Sequence, residues 1–72
     1  MNIYYNEKGD LLYIRLDENA ESVTNRRITE DIVLDIDGQD KLVGIEILDA
    51  SKNVNLERIF PISYGEKRKI AV

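Results

Sequence analysis

The stretch "DIVLDIDGQDKLVGIEIL", Asp31 to Leu48, constrains the fold more than any other. Ile32, Leu34 and Ile36 alternate with Val33, Asp35 and Asp37. After "DGQDK", Val43, Ile45 and Ile47 alternate with Gly44, Glu46 and Leu48. Period two is the mark of a strand buried on one side. Two such runs around a short polar turn read as an antiparallel hairpin with one apolar face. Gly38 is the flexible member of the turn. Several loop registers keep the two apolar faces together, so the pairing stays open.

A second hairpin precedes it. Ile3, Tyr4 and Tyr5 suit a strand. In "NEKGD", the glycine Gly9 is placed where a positive φ is needed, ahead of a bulge. That turn sets Asn6 opposite Asp10 and Tyr4 opposite Leu12. Leu12, Ile14 and Leu16 then alternate with Tyr13 and Arg15. Between the hairpins, Asp17 to Glu21 is a polar loop, and "SVTNRRIT" reads as a short strand with poor alternation.

Past residue 50 the period changes. Leu56, Ile59 and Phe60 follow the i, i+3, i+4 spacing of a helix within "SKNVNLERIF". Asp49, Ser51 and Asn53 are candidate caps, and Pro61 is a natural stop, because the residue before proline avoids the α region. So short a helix needs a partner surface, and the apolar sheet face is the obvious one. The predicted fold is α+β: an antiparallel β-meander of four to five strands with one short C-terminal helix packed on one face. Residues 1–65 form the single small domain, and 66–72, with Lys67, Arg68 and Lys69, a basic tail, extended or loose.

Size limits what this fold can do alone. A 72-residue chain buries only about 60% of the surface its unfolded form exposes. It has no Cys and no His, so disulfides and Cys/His zinc sites cannot staple it. One short helix covers a sheet of this size poorly, and Tyr13, Val33 and Leu48 are expected on the outer face. Self-association as a homo-oligomer is therefore expected. With 43% hydrophobic and 33% charged residues, the chain suits a folded domain rather than a disordered one. No run is long enough to cross a membrane, and "MNIYYNEKGD" lacks the features of a signal peptide. A cytoplasmic location without membrane contact is expected. The net charge of −4 disfavours nucleic acid as a general partner and suits a small basic protein partner.

"YYNEKGDLLYIRL" followed by "IVLDIDGQDKLVGIEILDASK" resembles the prokaryotic family known as domain of unknown function 2283. Tyr5 through Ile14 is similar to that family's Tyr-Asp-x-x-x-Asp-x-Leu-Tyr-Ile block, with Asn6 where the family usually has Asp. Val43 through Ser51 matches its Val-Gly-Ile-Glu-Ile-Leu-Asp-Ala-Ser block. The resemblance covers about two-thirds of the chain, is loose over Asn19 to Thr29 and stops before the tail. It implies a small, mainly antiparallel β domain and no established activity. For some relatives, encoded beside small toxin-like proteins, it implies an antitoxin role.

Four groups of residues are candidates for function, each with a plainer alternative. Asp35, Asp37 and Glu46, with Asp31 beside them, share a strand face and are candidate ligands for a hard cation in a small metal-assisted enzyme. The alternative is that outward positions of a half-buried strand are simply polar. As a calcium loop, "DIDGQDKLVGIE" has Gly38 misplaced and Asp40 where glycine is required, and this is rejected. Tyr4, Tyr5 and Tyr13 lie close together, either as an interface or as cross-strand packing. Lys67, Arg68 and Lys69 offer a grip for nucleic acid or for an acidic partner, or else a solvated tail. Asp49 to Ser51 is an exposed junction or a helix cap. With no catalytic constellation and no cofactor expected, the chain reads as a non-catalytic interaction module. It would bind itself, a protein partner or both, through an open sheet edge or the tyrosine face.

Overall fold

A computed structural model describes residues 1–59 and, for the backbone alone, 68–71. Phe60, Pro61 and Lys67 lie outside the described residues. Both expected hairpins form. The first joins β1 (Asn2–Asn6) to β2 (Leu11–Arg15), and the second joins β4 (Ile32–Ile36) to β5 (Leu42–Ile47). The poorly patterned segment supplies β3 (Thr24–Arg27), and Arg68–Ala71 forms β6. All pairings are antiparallel, in the order β3-β4-β5-β2-β1-β6. Part of the stretch expected as a tail thus extends the sheet beside β1.

The chain leaves β5 into two one-turn helices, α1 (Ala50–Asn53) and α2 (Leu56–Ile59), rather than one longer helix. Val54, with φ −139° and ψ 157°, is extended and breaks the helical run between them. β-Branched valine tolerates that geometry well. Ala50 and Leu56 press onto Tyr5, Leu12 and Ile47, with Ile3, Ile14, Ile45, Val54 and Ile59 packed around them.

The pairing register sorts the side chains. Tyr5, Leu12, Ile47 and Ile32 form one row across the strands, and Ile3, Ile14, Ile45 and Leu34 a second. Both rows lie on the helix face. Tyr4, Tyr13, Glu46, Val33 and Arg27 form a row on the other face, as do Asn2, Arg15, Gly44, Asp35 and Asn25.

Tyr4 therefore faces Tyr13, not Leu12 as expected, and Asn6 faces Leu11. The turn holds four residues, Glu7 to Asp10, and its left-handed residue is Asp10 (φ 50°) rather than Gly9. Asn6 Oδ1 accepts the Gly9 N–H at 3.1 Å, and the Asp10 N–H reaches Glu7 O at 3.3 Å. Aspartate tolerates this conformation because its short side chain bonds locally. In the second hairpin the left-handed residue is likewise Asp40 (φ 61°), not Gly38. There Asp37 Oδ1 accepts the N–H groups of Gln39 and Lys41 at 2.8 and 2.9 Å. Those two bonds, Lys41 first, hold the Asp37 carboxyl below its ordinary range.

Asp10 explains why the first turn is built this way. Its Oδ1 accepts the Tyr5 hydroxyl at 2.8 Å and the Ser51 N–H at 3.0 Å, and its Oδ2 accepts the Ser51 hydroxyl at 2.6 Å. Its main-chain oxygen accepts the Ala50 N–H at 2.8 Å. The cap of α1 thus comes from a turn 41 residues away in sequence. Asp49, one of the three candidate caps, sits at the N-cap position in left-handed geometry (φ 48°) and makes no side-chain cap bond.

The Ser51 hydroxyl, and after it Tyr5 and the Ser51 N–H, favour the charged form of Asp10 and lower its pKa against the opposing effect of burial. The folded value lies below the unfolded one near 3.8. The stability from this linkage is therefore present above that pH and lost as pH falls through the folded value. Asp10→Ala is expected to cost about 1–2 kcal/mol in urea unfolding at pH 7, the range for losing a helix cap and its bonds. Asp10→Asn should remove part of the acid lability expected of the native chain below about pH 4, read as the urea midpoint against pH.

Candidate functional site

The face away from the helices carries a chain of polar side chains across four strands. At its centre is Asp35 on β4, the one buried charged residue among those described, 5% exposed. Asp35 Oδ2 accepts the Tyr13 hydroxyl at 2.9 Å, and Oδ1 accepts Asn25 Nδ2 from β3 at 2.5 Å. Asn25 Nδ2 also reaches Glu46 Oε2 at 3.4 Å. Arg15 Nη1 donates to the Tyr13 hydroxyl oxygen at 3.1 Å. The other Arg15 donors hold the following loop, through Asp17 O at 2.8 Å and Ala20 O at 3.4 Å.

Gly44 makes this chain possible. Tyr13 lies on β2 and Asp35 on β4, with β5 between them. The tyrosine ring crosses the intervening strand at Gly44. A Cβ there would stand 2.7 Å from the Tyr13 hydroxyl, 3.1 Å from its ring and 3.0 Å from Ile14 O. Any side chain at 44 would lift the ring off β5. On its other side Tyr13 meets Tyr4, with ring centroids 6.3 Å apart and planes at 25°.

The electrostatics follow from crowding two carboxyls. Burial raises the Glu46 pKa first, and the hydrogen bond and charge of Asp35 raise it further, against a weaker opposing pull from Arg27. Burial also raises Tyr13. Its hydrogen bond to the Asp35 carboxylate adds to the rise, while the bond from Arg15 works the other way.

The structure brings together only part of each expected group. Asp35 and Glu46 meet, but Asp35 is buried rather than an outward, exposed carboxylate. Asp37 is spent on its own turn, and Asp31 Oδ2 accepts Asn53 Nδ2 at 3.1 Å. Among the described residues no three acidic side chains are grouped to hold a metal ion. Tyr4 and Tyr13 share the polar face, while Tyr5 lies in the core at 4% exposure. The longer turn shifts the register by one residue, which moves every side chain to the opposite face. Val33, expected outside, is 7% exposed, because the register sets the long side chains of Arg27 and Glu46 on either side of it. Tyr13 and Leu48 are half-buried. Arg68 and Lys69 fall on β6, opposite Tyr5 and Tyr4. Sequence reasoning missed Asn25, Arg15 and Gly44. A lone glycine inside an alternating strand was their one signal, because it marks a close approach.

Elsewhere, a shallow groove of about 490 Å³ follows Ser51 to Glu57. Its one buried lining residue is Leu56. No helix among the described residues is long and apolar enough to cross a membrane.

The two sequence blocks that resemble a known family meet in this fold, at Asp10 with Ser51 and at Tyr13 with Gly44. A family model described as a protein of unknown function (DUF2283) matches residues 2–51, more than half of the chain. The chain belongs to this family. The matched span runs from β1 to Ser51 and so holds all of the Asp10-centred bonds and the whole polar chain from Arg15 to Asn25. No curated protein and no solved structure matches.

Three substitutions test the polar face. Gly44→Ala should destabilise the fold by about 1–3 kcal/mol, as overpacking does. Combined with Tyr13→Phe it should cost clearly less than the sum, because both break the one Tyr13–Asp35 bond. A double-mutant cycle in urea measures this. Glu46 has a raised folded pKa, so its linked stability is complete below the unfolded value near 4.5. That stability is lost as pH rises through the folded value. Glu46→Gln, which stays neutral, should raise the urea midpoint at pH 7 and give no gain near pH 3.

Proposed function

We propose that the protein is a non-catalytic interaction module that binds itself, a protein partner or both. The observation that carries the reading is the half-covered helix face. Ile3, Ile14, Ile45, Leu34 and Ile32 run across four strands, yet each keeps intermediate exposure beneath two one-turn helices. Contiguous apolar surface of this kind is buried best by another molecule.

The polar side chains support the same reading. Asp10, Arg15, Asn25 and Asp35 each serve a partner within the fold, which suits scaffolding better than chemistry. An antitoxin-like role, as suspected for some relatives, is the form this module would take against a small basic protein. A net charge of −4 would speed that encounter.

Sedimentation equilibrium of the full chain and co-purification from its native host test the reading together. A concentration-dependent dimer or a stoichiometric protein partner is expected. A strict monomer that retains nothing would remove the proposal.

A further inference from the structure

The outer edge of β3 is a second surface, independent of the apolar face, with its own partner chemistry. Every residue from Glu21 to Glu30 is exposed, including all four of β3. Among the described residues β3 pairs only with β4, so its other side is an open edge there. The Ile28 N–H donates to Ile32 O at 2.8 Å. Alternation along an antiparallel ladder then turns the main-chain groups of Asn25 and Arg27 outward. An open edge of this kind is a template for an added strand.

The side chains along the edge select what can be added. Arg26 and Arg27 are adjacent, so one projects from each face of the sheet. Val23 and Ile28 bracket them at 38% and 53% exposure, two of the five large apolar side chains exposed among the described residues. A second copy is a poor occupant. β3 against β3, in the symmetric register that aligns Arg26 with Arg27, sets arginines beside arginines. Like charges directly opposite one another destabilise a strand pair. The edge strand β3 of an acidic chain is therefore cationic at its centre.

We propose that β3 accepts an extended acidic segment of a partner protein by strand addition. Two adjacent carboxylates would face Arg27 and Arg26, with apolar residues at the two ends facing Ile28 and Val23. The proposal rests on the interaction-module reading, but it uses a different surface and does not need the apolar face. Read antiparallel against Val23 to Ile28, the complementary strand is Ile-Glu-Glu-Thr-Thr-Val.

The acetylated, amidated peptide of that sequence, titrated into the ¹⁵N-labelled full chain, tests it. Amide shifts should centre on residues 23–28. The Asn25 and Arg27 amides should gain about ten-fold or more in exchange protection, as new ladder bonds would give. Arg26→Glu with Arg27→Glu, at exposed positions, should weaken binding about ten-fold or more. A peptide with two lysines in place of the glutamates should ignore the native chain and bind that variant. Four results would overturn the proposal: shifts centred on Tyr4 and Tyr13 or on β6, equal binding of the lysine peptide, the same shifts with an oligo-dT strand, or none at millimolar peptide. A monomer that retains no partner from its host, yet binds the peptide at β3, would fault the module reading and leave the edge chemistry standing. A retained partner with no peptide binding would do the reverse.

Discussion

The carboxylate of Asp10 is the joint on which the described fold depends. It sits in a turn, yet its bonds reach the core tyrosine of β1 and the first turn of α1. A one-turn helix cannot support itself in water, because nucleation costs more than one bond returns. The cap from Asp10 and the burial of Ala50 and Leu56 hold α1 and α2 against the sheet. Without that anchor, Tyr5, Leu12 and Ile47 would lose their cover, and they form the main apolar cluster of a small domain. Marginal stability makes each such bond a large fraction of the total.

The opposite face works by different physics. A buried carboxylate is costly unless it is well bonded, and Asp35 takes donors from β2 and β3, either side of the β4–β5 hairpin. Asn25 Nδ2 ties β3 to the rest of this face through its bonds to Asp35 and Glu46. β3 has no buried residue to fix its register, and an unanchored polar strand slips easily. One hydrogen bond of fixed geometry settles what hydrophobic burial leaves open there. The crowding of Glu46 against Asp35 is the cost of placing that acceptor where β3 can use it.

Much of this was legible in the residues. Alternation located both hairpins and the inward set Val43, Ile45 and Ile47, and the shift to helical spacing located the helical segment. What failed was register and the faces that depend on it. Glycine is the default residue for positive φ, so Gly9 and Gly38 were the natural choices. The positions went instead to Asp10 and Asp40, where the carboxylate or its neighbours gain bonds that no local rule foresees. One extra turn residue then put Tyr5 in the core and Tyr4 beside Tyr13. Val33 and Asp35 read as outward because alternation reports the side of the strand, and burial on that side depends on neighbours from other strands. The Tyr13–Gly44–Asp35 arrangement spans three strands and appears only once the strand order is known.

Strand order also changes what net charge means. Averaged over the chain, −4 describes an acidic molecule suited to basic partners. Placed on the sheet, the cationic residues Arg26, Arg27, Arg68 and Lys69 collect on its two edges. At physiological salt the field of an exposed charge falls off within about 8 Å, so a strand docking at an edge meets the local arginines more than the distant acids. Like charges of Arg26 and Arg27 would also oppose stacking of β3 edges, the usual hazard of an open sheet. Under the proposed reading, self-association would be steered away from the β3 edge and onto the apolar helix face, leaving that edge to strands of opposite charge. One sheet can then serve two kinds of contact without either blocking the other.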